Sequence, residues 1–277
     1  MGKELDKYEL PKLLDHIADC IGKGEYDELD RLLLRVDKLR EKGVNVNLEK
    51  ASPVLDAYVS DILDKISDDK FDAAENVLKH LKKFLDYFNL IIDEKSVSKI
   101  SDAYVKKICG IFTPSFFVYY IIEVFRRFLD TFNLSISKDS VSKISDAYVN
   151  IICLYIELGW YDYAKDRIEV FRSFLDTFNL SISEENASKI SDTYAGNICR
   201  SIRKEDYNDA KYIIEVFRRF LDTFNLSISK DSVSKISDAY AGNICECIEE
   251  GYYDDAKYII EVFRRFLDTF NLSISEE

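Results

Sequence analysis

Six cysteines and two histidines are the residue types in this chain best suited to hold a metal or to act as nucleophile and base. Cys109, Cys153, Cys199 and Cys245 are separated by 44, 46 and 46 residues, so they are one position met four times. Neighbouring packed helices lie roughly 8–10 Å apart, whereas a disulfide needs its Cα atoms within about 7 Å. A ladder of small buried thiols therefore fits better than bridges. Free thiols point to a reducing compartment, most simply the cytoplasm. Cys245-x-Cys247 lacks the second Cys or His pair of a zinc site. His16 and His80 occupy non-equivalent places, and no His-Glu-x-x-His, glycine-rich phosphate loop or nucleophile elbow is present. Paired acids such as Asp254-Asp255 open helices, where the macrodipole favours carboxylates. The expectation is no catalytic residue, no metal site and no cofactor: not an enzyme.

The elements that carry these residues are repeats. Tyr120 to Tyr148 recur letter for letter as Tyr212 to Tyr240, an offset of 92, with a half-offset copy between. Phe-Leu-Asp begins at Phe84, Phe128, Phe174, Phe220 and Phe266, in steps of 44, 46, 46 and 46. Fixed periods of roughly 20–50 residues mark arrays of one supersecondary unit. In the last full unit, Val233, Ile236, Tyr240, Ile244 and Cys247/Ile248 form the stripe of an amphipathic helix. Gly251-Tyr252 makes a turn. A second helix follows with Ala256, Ile259, Ile260, Phe263, Phe266, Leu267 and Phe270. Its apolar arc is wide enough to need neighbours on two sides, its own first helix and the next unit.

Between units lie short extended links in which Leu and Ile plug the core: Val44–Asn47, Leu134–Ser137, Leu180–Ser183, Leu226–Ser229 and Leu272–Ser275. Asn47, Asp93, Ser137, Ser183 and Ser229 stand where a helix N-cap is wanted. Ser52-Pro53 competes as a cap and first position, which would start the second unit's helix later. The units are 1–47, 48–93, 94–137, 138–183, 184–229 and 230–275. The predicted fold is all-α: one domain, 1–277, an αα-solenoid of about six 46-residue helix-turn-helix repeats. It would wind as a right-handed superhelix about 60 Å long if units stack at roughly 10 Å.

Bulk properties agree. Three prolines and nine glycines in 277 residues suit long helices. A net charge of −13 repels phosphate backbones. The start, Met1 to Asp6, has no apolar signal-peptide core. The longest mostly apolar run, Ile111 to Ile122, falls short of the about 20 residues that span a bilayer.

Gly251-Tyr252-Tyr253-Asp254-Asp255-Ala256, Gly159-Trp160-Tyr161-Asp162-Tyr163-Ala164 and Gly24-Glu25-Tyr26-Asp27 resemble the Gly-x-Tyr-Asp-x-Ala turn of tetratricopeptide repeats. Phe71-Asp72-Ala73-Ala74 and Tyr207-Asn208-Asp209-Ala210 are looser versions. The likeness covers about six residues in each of five units. A period of 46 exceeds that family's 34, and its Trp-x-x-Leu-Gly opening is absent. The resemblance implies an αα-solenoid that binds proteins or peptides.

Two sets of partner-binding candidates follow. Around the repeated cysteine the buried Ile and Cys stay while their flanks change: Lys106, Lys107, Asn150, Leu154, Asn197, Arg200, Asn243 and Glu246. If first helices line the groove, as in tetratricopeptide folds, these flanks read a partner; drift at free surface gives the same pattern. In the third unit the turn loses two residues and gains Ile111, Phe112, Phe116 and Phe117, which form an exposed apolar patch or fold inward. Arg126-Arg127, Arg218-Arg219 and Arg264-Arg265 sit between acids three and four residues away and read as a self-neutralising ladder.

The expected function is a non-enzymatic, cytoplasmic scaffold for a protein or peptide. The alternatives are a structural, self-assembling array or a fragment of a longer one, pairing through its last repeat. A helical-repeat nucleic-acid reader fits the charge poorly, and no membrane partner is expected.

Overall fold

A computed structural model of the chain describes residues 2–42, 48–110 and 115–273. Among them the structure is all-α, twelve helices in six hairpins with no strand. The pairs are α1 (Gly2–Lys23) with α2 (Tyr26–Glu41), α3 (Leu48–Ser67) with α4 (Phe71–Phe88), and α5 (Glu94–Ile108) with α6 (Ser115–Thr131). Then come α7 (Lys138–Glu157) with α8 (Tyr161–Thr177), α9 (Glu184–Arg203) with α10 (Tyr207–Phe224), and α11 (Lys230–Glu249) with α12 (Tyr253–Thr269). The hairpins are referred to below as the first to sixth repeats.

The chain forms two compact bodies, Met1–Thr113 with Tyr120–Val141, and Pro114–Tyr119 with Ser142–Glu277. In the first, α3 packs between α1 and α5 and on its own partner α4. In the second, α9 packs on α10 and α11, and α10 lies between α8 and α12. First helices thus stack on first helices and second on second, as a one-dimensional array requires.

The core of each repeat is one tyrosine of the first helix laid on phenylalanines of the second. Ring centroids are 5.9 Å apart for Tyr58–Phe84, 5.4 Å for Tyr104–Phe125, 5.6 Å for Tyr148–Phe171 and 5.2 Å for both Tyr194–Phe217 and Tyr240–Phe263. All five tyrosines are buried. Such offset aromatic pairs add about 0.5–1.5 kcal/mol beyond the area they bury.

Helix starts follow the expected chemistry. Asp93 accepts from the Ser96 N–H at 2.9 Å, and Ser137, Ser183 and Ser229 cap Ser140, Asn186 and Ser232 at 3.0, 3.2 and 3.0 Å. Asn47 and the Val44–Asn47 link lie outside the described residues. Ser52-Pro53 does not start the second repeat. α3 begins at Leu48 with Pro53 inside it, because Ala51, Val54 and Leu55 are buried and hold that turn helical. The links are less deeply plugged than expected: Leu134, Ile136, Leu180, Ile182, Leu226 and Ile228 are only half-buried.

Helix ends use left-handed residues. Asn89, Asn133, Asn179, Asn225 and Asn271 close the second helices at φ of 53–54°, each followed by a leucine N–H bonded back to the helix. First helices close at Gly24, Gly159 and Gly251, φ 72–82°. In the second and fifth repeats, Asp69 (φ 60°) and Glu205 (φ 61°) hold that position instead. A side chain there costs roughly 1–2 kcal/mol. Glu205→Gly is therefore expected to stabilise the chain by about 1 kcal/mol, read as a raised urea midpoint at unchanged m-value.

Candidate functional site

The flanks of the repeated cysteine separate into two classes. One position per repeat turns toward the preceding hairpin and locks it. Lys107 donates to the Ser67 carbonyl at 2.8 Å and pairs with Asp69 at 2.6 Å. Asn243 donates to the Ile202 carbonyl at 2.7 Å and to the Tyr207 hydroxyl at 3.0 Å. Asn197 is buried and donates to the Ile156 carbonyl. Asp61 takes the Tyr26 hydroxyl proton in the same way. Each clamp satisfies a carbonyl or ring hydroxyl at the end of the previous first helix, which that helix leaves without an internal partner. These residues join repeats to one another, and Asn197 presents no surface to a partner.

The other positions face outward. Lys106, Asn150, Arg200 and Glu246 are exposed, and Leu154 is 45% exposed. Asn150 accepts from Lys189 of the next first helix at 2.8 Å.

In the second body these outward positions open on a cleft of about 640 Å3 between α9 and α11. Its walls carry Asp192, Arg203, Lys235, Asp238 and Glu246, with Gly196 and Gly242 between. Both glycines lie mid-helix, and a Cβ built on either meets nothing within 4 Å. Packing therefore does not require them. A glycine in a helix interior costs about 0.5–1 kcal/mol against alanine. Sequence reasoning placed Asn243 and Glu246 here but passed over Gly196 and Gly242. Their signal was available: a residue unfavourable in helices, repeated at the same register.

The thiol ladder is partial. Cys153 and Cys199 are buried, each pointing at a carbonyl of the next first helix, Lys189 at 3.9 Å and Lys235 at 3.4 Å. Burial pushes both thiols above their ordinary pKa, opposite to what a nucleophile needs. Cys109 is half-buried and Cys245 exposed. Among the described residues no group of three metal-ligating side chains converges.

Of the third-repeat patch, Ile111 and Phe112 lie outside the described residues. Phe116 is 71% exposed, with the half-buried Phe117 ring 5.5 Å away. A larger aromatic cluster at the α7–α8 turn went unnoticed in the sequence. Trp160 and Tyr163 are exposed and stand 6.1 Å apart, each within 6 Å of Tyr155. Leu158 beside the turn glycine was the available clue.

The arginine ladder is neutralised largely within itself: Arg126 meets Glu123 and Asp130 at 2.6 and 2.7 Å, and Arg218 meets Asp222 at 2.9 Å. Arg127 reaches instead to Glu75 of the preceding repeat at 3.0 Å, and Arg218 also donates to the Thr269 carbonyl. No helix of the described residues is long and apolar enough to cross a membrane.

No protein-family model matches the chain, and no curated protein resembles it in sequence. Among solved structures it is similar to BtubC (BKLC) from P. vanneervenii, at 11% identity over 100% of this chain and 95% of that one, with a TM-score of 0.21. It is also similar to a Rap protein crystallised with competence and sporulation factor, at 13% identity over 95% of this chain and 76% of that one, TM-score 0.19. Both superpositions are too loose to inform the site.

Proposed function

We propose that the chain is a non-enzymatic scaffold of tetratricopeptide-like repeats that holds a protein or peptide segment in the groove over its first helices, in the cytoplasm. The observation that carries this reading is the α9–α11 cleft, where two mid-helix glycines face open space. Helix stability alone disfavours them. A partner backbone laid along that wall approaches each helix more closely for want of a methyl group. The mixed rim of Asp192, Arg203, Lys235, Asp238 and Glu246 suits a partner read by charge as well as shape. With a net charge of −13 the chain is a poor match for nucleic acid.

The test is selection of peptides from a displayed library on the full chain, followed by titration of the winners against Gly196→Ala and Gly242→Ala. Each substitution is expected to raise stability by about 1 kcal/mol while weakening the selected peptide about tenfold or more. A library that yields no saturable binder, or a binder indifferent to both alanines, would sink the groove reading.

A further inference from the structure

The sixth repeat exposes a face that earlier repeats of the second body bury. In the fifth repeat Ala195, Ile198, Cys199 and Ile202 are all buried, Ile202 with no exposure at all. Their counterparts 46 residues on are Ala241 and Cys245, exposed, Ile244, half-buried, and Ile248, 48% exposed. Tyr207 is half-buried, whereas Tyr253 is 62% exposed.

What covers this face in the fifth repeat is α11, and its contacts define a socket. The Cys199 thiol meets the Lys235 carbonyl, and Asn243 bonds the Ile202 carbonyl and the Tyr207 hydroxyl. The fourth repeat repeats the pattern with α9, through Cys153–Lys189 and Asn197–Ile156. The covering helix runs parallel to the one it covers, so its C-terminal turn lies beside the C-terminal turn below.

Charge at those turns alternates. α7 ends with Glu157, α9 with Arg200, Arg203 and Lys204, and α11 with Glu246, Glu249 and Glu250. Arg203 and Glu246 line the same cleft. Within the first body the same opposition appears, with Lys107 paired to Asp69. The uncovered end of α11 is therefore acidic where its occupant would be basic.

We propose that this face of α11 and the α11–α12 turn docks an amphipathic α-helix, parallel to α11, with an Ile/Ala/Tyr/Asn stripe and a basic C-terminal turn. The leading end of a second copy does not fit that description, because α1 exposes Lys12, Asp15, His16 and Asp19. This surface is separate from the glycine-floored groove, and either assignment can fail without the other.

The experiment uses the full chain and a labelled peptide with the sequence of residues 184–204, held helical by a side-chain lactam between positions 188 and 192. Saturable binding is expected by fluorescence anisotropy. A peptide with Arg200→Glu, Arg203→Glu and Lys204→Glu should bind at least tenfold more weakly at low salt, and the gap should narrow as salt screens the charges. Ile248→Asp in the chain, at a position already half exposed, should weaken the parent peptide at least tenfold while leaving the chain's melting temperature in place. Absence of saturable binding, equal binding of the charge-reversed peptide, or binding that survives Ile248→Asp would overturn the proposal. So would a dimer of the chain, seen by sedimentation, that Ile248→Asp dissolves, since that assigns the face to a second copy.

Discussion

Tyr194→Ala is expected to cost the chain about 4 kcal/mol, and Tyr194→Phe is expected to cost nothing or to stabilise it by up to about 1 kcal/mol. The ring and the hydroxyl have opposite fortunes. The ring is fully buried, 5.2 Å from Phe217 and 6.0 Å from Phe220. Deleting it opens a cavity at the centre of the second body, where both helices of the repeat meet. The hydroxyl has no hydrogen-bond partner among the described residues, nor do those of Tyr58, Tyr104 and Tyr240. A buried polar group without a partner forfeits its hydration and gains nothing in return. Urea unfolding of the two variants separates the effects. A Tyr194→Phe cost above about 1 kcal/mol would mean that the hydroxyl makes a bond worth keeping.

The same four hydroxyls make the chain sensitive to alkali. Burial raises the pKa of each above the usual tyrosine value of 10. Burial also pushes Tyr161 up to about 12, aided by Asp209. Above about pH 10 the unfolded chain releases these protons while the folded chain keeps them. Stability is thus fully present below about pH 10 and declines as pH climbs toward the folded values. Each tyrosine takes away about 1.4 kcal/mol per pH unit in that window, so four together remove between about 5 and 6. Folded domains hold only about 5–15 kcal/mol in reserve. Helical circular dichroism is expected to collapse between about pH 11 and 12, together with a cooperative rise in tyrosinate absorbance. Tyr194→Phe should make the decline shallower by about a quarter. Gradual tyrosine titration with helicity intact through pH 12 would contradict this account.

Much of the architecture was legible in the residues because helix hairpins are local objects. The apolar stripe of α11 and the wide arc of α12 name their buried faces through spacing alone, and Asp93, Ser137, Ser183 and Ser229 cap the helices they were expected to cap. Pro53 misled because a proline reads locally as a start, whereas burial of Val54 and Leu55 overrides the missing hydrogen bond. The groove candidates were mixed for a related reason. Asn197 and Arg200 sit three residues apart on one helix and vary alike between repeats, yet one is buried against the Ile156 carbonyl and the other faces water. Variation between repeats cannot tell a clamp from a reader, since both depend on what lies across the gap.

The repeat period, the helical period and the cap chemistry are carried in contiguous stretches of chain, so this protein's sequence by itself determined that it is an array of α-hairpins. Which flank locks, which flank lines a cleft, and where a stacking face is left open are relations between residues about 36 to 46 apart, such as Asn243 with Tyr207 and Ile202. Only tertiary packing decides these. Burial is a property of the neighbour that covers a side chain, and near-identical repeats such as the fifth and sixth give Ile202 and Ile248 opposite environments for that reason alone.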